Sequence, residues 1–373
     1  MISENASDLR DQQGLHARNG LIVLMNVFMS IVAFFTLPFI RIGPDKVVQV
    51  LLAFSIAVIA TLVLTPLTMR LAVAAGVMDI PHARRVHTHP TPRWGGLAMY
   101  ASFVLTIVLL HFYRLHYGIA PLLNHQVTGI LVGGALMTAL GALDDKFNLP
   151  AKVKLVGQIF AALVLTLPFF GVRLMVFNTA LFGHSGHHSA EIFSIIFTVI
   201  WVVGITNTIN LIDGLDGLAA GISGMAALTF LSIGVLLRGT LGFDLLVAAL
   251  AGVCLGFLRY NFYPARVFMG DAGSHFLGFT IAALAVLQNW KVAAGLAFAV
   301  PALILAVPIL DTAFAIIRRF RRGQPIFSPD KGHLHHRLLN LGLNQRMVVL
   351  CIYLLTSVAC FLALLLARTR LWR

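Results

Sequence analysis

The stretch Asn210-Leu-Ile-Asp213-Gly-Leu-Asp216-Gly217 places two carboxylates and a carboxamide within eight residues of a chain that is 59% hydrophobic and only 11% charged. Asp213 and Asp216 are three residues apart, the spacing that shares one helical face, and Asn210 and Asn207 extend the same row backwards. Gly214 and Gly217 leave room for close approach of backbone or ligand. A plain Asp/Gly turn between helices would not need that register. Two more acidic sites have similar surroundings: Asp144-Asp145, and Asp271 within Phe268-Met-Gly270-Asp271-Ala-Gly273-Ser274. Each stands where a long apolar run ends or begins, hence at a membrane surface. Carboxylates gathered there read as a magnesium site.

The flanking residues sharpen this chemistry. Carboxylates at a helix C-terminus oppose the macrodipole, so Asp144-Asp145 calls for a nearby cation. Lys146, Lys152 and Lys154 follow it, and a lysine there also suits a phosphate. Asp271 or Ser274 could cap a helix beginning near Gly273. Asn261 and Arg266, just upstream, offer a carboxamide and a guanidinium. Further along, Arg318-Arg-Phe-Arg-Arg322 precedes Ser328-Pro-Asp330-Lys331-Gly-His333-Leu-His335-His336-Arg337. Zinc is a poor reading of these histidines, which have no cysteine or distal ligand beside them. His333, His335, His336 and Arg337 together suit pyrophosphate instead.

These motifs need elements to hold them. With a mean hydropathy of +0.90 and repeated apolar runs, the chain is no ordinary soluble domain. Eleven candidate membrane helices lie near 21–40, 47–70, 95–113, 126–143, 154–172, 192–206, 218–237, 241–258, 273–290, 292–317 and 346–367. The expectation is one all-α polytopic membrane domain over 1–373, with its core at 47–367 and an extra N-terminal helix at 21–40. No cleavage site follows that first run, so it reads as a helix and not a signal peptide. Pro301 and Pro308 share one run, which packed membrane helices tolerate. Asp311 lies inside the same run and calls for an arginine or backbone donor as partner. Cys254, Cys351 and Cys360 all fall in apolar runs and read as small buried hydrophobes.

In a soluble protein the formal charge of +13 would suggest nucleic acid. Here the positive-inside rule accounts for it, and no nucleic-acid partner is expected. Across eleven spans, eighteen of the 27 Lys and Arg residues fall on one set of alternate connections, which is therefore cytoplasmic. All the motifs above lie on that side, as does Arg84-Arg85-Val-His87-Thr-His89-Pro90-Thr-Pro-Arg93-Trp-Gly-Gly96. The opposite connections hold only three scattered acids, Asp45, Glu191 and Asp244, and a polar loop with His184, His187 and His188. A polar face opposite a bland one implies an active site on cytoplasmic loops.

Five ordered motifs then carry a resemblance: Pro90–Gly96, Asp144-Asp145 with Lys154, Asn210–Gly217, Asn261–Ser274, and His333-Leu-His335-His336. They resemble the polyprenyl-phosphate N-acetylhexosamine-1-phosphate transferases of glycosyltransferase family 4. That group starts enterobacterial common antigen, O-antigen lipopolysaccharide and teichoic-acid linkage synthesis, and includes phospho-N-acetylmuramoyl-pentapeptide transferase. The final motif and the added first helix resemble the N-acetylglucosamine-1-phosphate branch. The resemblance implies that undecaprenyl phosphate attacks a UDP-N-acetylhexosamine, releasing UMP, in a bacterial inner membrane. It also implies magnesium, with manganese as a substitute, at Asn210 and Asp271. Asp144, Asp145, Lys154, Asp213 and Asp216 match catalytic positions. Asn207, Asn261, Arg266, His333, His335, His336 and Arg337 are expected to bind substrate, and a homodimer is compatible with the family.

Two readings compete. A transporter would place ionisable residues near helix midpoints along a path, and only Asp311 comes close. A CDP-alcohol phosphotransferase would need an arginine and spaced aspartates after Asp216-Gly217, where this chain has Leu218-Ala-Ala-Gly-Ile-Ser.

Overall fold

The computed structural model describes residues 44–80, 90–174, 187–237, 239–288, 294–324 and 332–369. The expected helix at 21–40, the segment from Arg84 to His89, His184 and the stretch Ser328–Lys331 lie outside the described residues.

Apolar runs in lipid must satisfy every backbone N–H and C=O internally, and helices do so. The described helices are α1 (Pro44–Ala74), α2 (Gly95–His116), α3 (His125–Phe147), α4 (Ala151–Thr166), α5 (His187–Ile212) and α6 (Leu218–Leu236). After them come α7 (Leu241–Asn261), α8 (Gly270–Leu287), α9 (Ala294–Ile304), α10 (Ala306–Arg321), α11 (Leu334–Asn340) and α12 (Gln345–Thr369). The only described strands, β1 (Met78–Asp79) and β2 (Thr91–Pro92), form a two-residue antiparallel clip. The architecture is that of an all-α polytopic membrane protein.

Of the eleven expected spans, the one at 21–40 lies outside the described residues, and two of the other ten are corrected. Eight described helices are long and apolar enough to cross a membrane, or nine spans if one bent pair counts as one. The run expected at 154–172 yields only the 16 residues of α4, roughly 24 Å at 1.5 Å per residue, short of a bilayer's apolar thickness. It stops because Leu167, preceding Pro168, adopts extended backbone. The run expected at 292–317 breaks between α9 and α10, which are bent by 83°. Pro308 has no N–H to give Ile304, and its ring crowds the carbonyl of that same residue, so the helix restarts at Leu305. His187 and His188, expected in a loop, open α5.

The helices differ sharply in depth. The apolar windows of α6, α7 and α8 are 78%, 78% and 83% buried, against 33% for α1, so the first three form the centre and α1 faces lipid. Leu51, Ile59, Val63 and Leu67 are among the exposed apolar residues of that outer helix. Small residues let backbones meet closely, as expected where packing replaces the hydrophobic drive between helices. The contact that matters most is Gly141 of α3 against α8, where a Cβ would stand 2.2 Å from the carbonyl oxygen of Asp271. That approach brings the acidic end of α3 onto the first turn of α8.

Candidate active site

At the end of α3 two adjacent carboxylates take different partners. Asp144 accepts the backbone N–H of Leu149 at 2.7 Å and the ammonium of Lys154 at 2.9 Å. The helix closes on Asn148 in the left-handed region, so the chain turns back and α4 presents Lys154 to the carboxylate. The cation required by the helix dipole is therefore present. Asp145 instead accepts the N–H groups of Asp271 at 2.9 Å and Ala272 at 3.2 Å. Because the residue preceding α8, Met269, offers no side-chain cap, Asp145 caps α8 from a neighbouring helix. Its charge sits at the positive end of the α8 dipole. Gly270 makes this geometry feasible with φ at +66°, where any side chain would meet Asp145 and the Arg93 carbonyl.

Asp271 joins this arrangement from α8. One of its oxygens accepts from Lys154 at 3.2 Å and the other from Asn210 at 3.0 Å. Asn210 also donates to Ser274 at 2.8 Å. With both amide hydrogens so used, the carbonyl oxygen of Asn210 is the atom left for a ligand. Asp144, Lys154, Asp271, Asn210 and Ser274 thus form one continuous chain of polar contacts across four helices.

This chain borders a cavity of about 330 Å³ lined by Asp145, Asn210, Asp213, Asp216, Asp271 and His336. Asp79, Arg93 and Gln345 line its other walls; none was singled out as a site residue from sequence. Asp79 and Arg93 pair at 3.1 Å, and the clip between β1 and β2 holds them together. Five lining carboxylates face one lining guanidinium, so the cavity has a strong excess of negative charge. Asp213 registers it: desolvation, then the charges of Asp271, Asp145 and Asp216, push its carboxyl up to about 8. Asp216 accepts the N–H of Ala265 at 2.9 Å, tying the loop after α7 to the cavity rim.

Among the described residues no three His, Cys, Asp or Glu side chains form a ready metal cage. The donor set nevertheless fits magnesium, which favours one or two carboxylates completed by substrate phosphate and water. Asp271 and the Asn210 carbonyl supply hard oxygen donors in an anionic cavity.

A second, larger cavity of about 820 Å³ meets the first at Asn210, which lines both. It runs between α4, α5, α9 and α10, and its walls include Leu155, Phe197, Trp201, Ile205, Phe298 and Ile309. Lys154 and His333 stand at it as well. The 83° bend shapes this groove, since α9 supplies Phe298 and α10 supplies Ile309.

The histidine segment spans both cavities. Buried Asp311 accepts from Nδ1 of His333 and from the N–H of Leu334, each at 2.8 Å. Of the arginine or backbone donor expected for Asp311, the backbone donor is present, and a histidine takes the place of the arginine. This fixes α11 so that His333 faces the apolar groove and His336 the acidic cavity. Between them His335 is buried against Gly214. Burial, followed by the neighbouring His336 and His333, pushes its imidazole down to about 4, so it is neutral.

Other expected substrate residues are placed differently. Asn261 lines the acidic cavity, but its amide binds the Gly217 N–H and the Val267 carbonyl, closing the turn into α6. The side chain of Asn207 pairs with Gln158 and the Val203 carbonyl. Arg266 and Arg337 are exposed and line neither cavity.

Residues 127–289 match the model of glycosyl transferase family 4. Over 343 residues, covering 88% of each chain, the protein is 38% identical to a probable undecaprenyl-phosphate N-acetylglucosaminyl 1-phosphate transferase of Bacillus subtilis. It is also 38% identical over 312 residues to a decaprenyl-phosphate N-acetylglucosaminephosphotransferase of Mycolicibacterium smegmatis, covering 78% of this chain and 75% of the relative. An undecaprenyl-phosphate alpha-N-acetylglucosaminyl 1-phosphate transferase of Escherichia coli K12 is 27% identical over 292 residues, 76% of this chain and 75% of its own. The chain belongs to glycosyl transferase family 4 and is a multi-pass membrane transferase.

Proposed function

We propose that this enzyme transfers N-acetylglucosamine 1-phosphate from UDP-N-acetylglucosamine to undecaprenyl phosphate, releasing UMP and forming a lipid diphospho-sugar. This would be the first lipid-linked step of a cell-envelope polysaccharide, at the cytoplasmic face of a bacterial inner membrane. The observation that carries the reading is the meeting of an acidic polar cavity and an apolar groove at Asn210, beside Lys154. One substrate of such a site is polar and phosphorylated, and the other ends in a phosphate on a long apolar chain. The names of the relatives support the sugar, and the excess of Lys and Arg on the motif-bearing side supports the orientation.

Phosphoryl transfer mainly requires positioning and charge neutralisation. The lipid chain lies in the groove, and Lys154, held by Asp144 and Asp271, receives its phosphate. A phosphate monoester with a second pKa of about 6 is already largely dianionic near neutral pH, so a general base adds little. The attack is direct and in line, with Asp144 orienting the nucleophile through Lys154. Asp271 and Asn210 would hold magnesium, or manganese in its place, which neutralises charge on the sugar diphosphate. His336, Asp213 and Asp216 face the nucleotide-sugar across the smaller cavity.

The test is UMP release by purified protein given undecaprenyl phosphate, UDP-N-acetylglucosamine and magnesium. Release should require all three and stop on chelation. UMP from UDP-N-acetylgalactosamine alone would reassign the sugar, and no UMP from folded protein with any UDP-sugar would overturn the reaction.

A further inference from the structure

Beneath the polar chain of the site lies a second polar tier. Gln158 follows Lys154 by four residues on α4, Asn207 precedes Asn210 by three on α5, and His275 follows Asp271 by four on α8. Each is thus about one helical turn, roughly 5.4 Å, further from the motif-bearing end. All three line the apolar groove.

Their hydrogen bonds fix which atoms donate. Asn207 directs its amide nitrogen at the Val203 carbonyl at 2.8 Å, an acceptor only, and at Oε1 of Gln158 at 2.6 Å. Gln158 therefore turns its own amide nitrogen to His275, 3.3 Å from Nε2. An amide nitrogen can only donate, so Nε2 accepts and the proton of the neutral ring sits on Nδ1. The 3.9 Å between Nε2 and Asp271 is too long for a hydrogen bond. His275 is 1% exposed, and its Nδ1 has no partner among the described residues. A buried donor without an acceptor is costly and calls for one.

We propose that His275 donates its Nδ1–H to a phosphate oxygen of the polyprenyl phosphate, fixing the lipid head at the mouth of the groove. Gln158 and Asn207 hold the ring in the donating tautomer. The inference rests on the lipid-phosphate acceptor proposed above and adds a residue specific for that substrate. Lys154 neutralises the phosphate, and His275 sets how deeply it sits. The nucleotide-sugar occupies the other cavity and makes no use of this tier.

The test is steady-state kinetics of His275→Phe, His275→Asn and His275→Gln, with undecaprenyl phosphate and UDP-N-acetylglucosamine varied separately. Loss of a buried hydrogen bond to a charged group should raise KM for the lipid about 10-fold or more in His275→Phe. KM for the nucleotide-sugar should stay within about twofold. Asparagine carries an amide nitrogen close to the position of Nδ1 and should recover most of the lipid affinity; glutamine, which imitates Nε2, should not. An unchanged lipid KM in active His275→Phe overturns the inference, as does equal behaviour of the asparagine and glutamine variants. A fall in kcat alone would also overturn it, making His275 a support for Asp271. Absence of lipid-dependent turnover in the unsubstituted enzyme would overturn the underlying reaction instead.

Discussion

Replacing Gly141 by alanine should cost turnover far more than it costs folding. The new Cβ would stand 2.2 Å from the Asp271 carbonyl oxygen and nearly as close to the Ala272 nitrogen. Both are backbone atoms, so no flexible side chain can give way. Ordinary van der Waals separation requires α3 and α8 to part by about 1 Å. The bonds from Asp145 to the N–H groups of Asp271 and Ala272, now 2.9 and 3.2 Å, would stretch to roughly 4 Å and be lost. Asp271 would move away from Lys154 together with its helix. A displacement of that size at reacting groups can cost about 100-fold in rate. Gly134→Ala, on the same helix, is the control, because its Cβ would meet only side chains, the Tyr100 ring at 3.3 Å and the Phe276 ring at an ordinary 3.7 Å, and the Tyr100 ring can shift. UMP release from both variants, with thermal melting in detergent to confirm folding, decides the matter. If folded Gly141→Ala keeps turnover within about threefold of Gly134→Ala, close α3–α8 contact does not position the site.

Asp144→Asn and Asp145→Asn should fail differently. The first turns an amide toward the Lys154 ammonium, so turnover falls while stability holds. The second sets an amide N–H against the first turn of α8, costing about 1–2 kcal/mol of capping and lowering the melting temperature as well. Equal melting temperatures for the two variants would refute the capping role of Asp145. His335, pushed down to about 4 from its ordinary 6.5, is deprotonated when folded but protonates readily once unfolded. Between those values the unfolded chain binds the extra proton. The stability it contributes is therefore present above pH 6.5 and lost as pH falls toward 4, by up to about 3 kcal/mol. His335→Gln should flatten the fall in melting temperature across that window, and an unchanged slope would refute the assignment.

Much of the site was legible because its chemistry lies in short motifs with helical spacing. Asp144-Asp145, Asn210 through Asp216 and Asp271 each announce themselves as acids beside apolar runs; the structure brings Asp145, Asn210, Asp213, Asp216 and Asp271 around one cavity and ties Asp144 to it through Lys154. Pairings across distant segments were not legible. Asp79 and Arg93 meet only because β1 pairs with β2, and Gln345 resembles any polar residue at a helix start. Gln158 and His275 carry no motif; only the alignment of three helices reveals their tier. Hydropathy also misjudged continuity. It recorded Pro301 and Pro308 within an apolar run, yet it has no term for the missing N–H that breaks the helix at Leu305. Arg266 stands close to Asp271 in sequence and Arg337 follows the histidines expected to suit pyrophosphate, but sequence distance does not fix on which side of a turn a long side chain emerges.

The two adjacent aspartates show why spacing alone could not divide their roles. Successive side chains on a helix point about 100° apart, so neighbours on α3 leave the helix in different directions and take different partners. Sequence identifies the pair, but not which member meets α8. The geometry divides them: both oxygens of Asp145 are taken by the α8 N–H groups, whereas Asp144 meets the Asp271 side chain and shares Lys154 with it. Asp145 therefore acts on where Asp271 stands, and Asp144 acts on the cation nearest the groove. On the proposed reaction this makes the loss of Asp145 a defect in holding the sugar diphosphate and the loss of Asp144 a defect in receiving the lipid phosphate. The separation follows from one fact of the fold, that α3 ends against the beginning of α8 with Gly141 at the contact. A glycine with no chemistry of its own thus sets α3 against α8, and with that contact which of two identical side chains caps the helix.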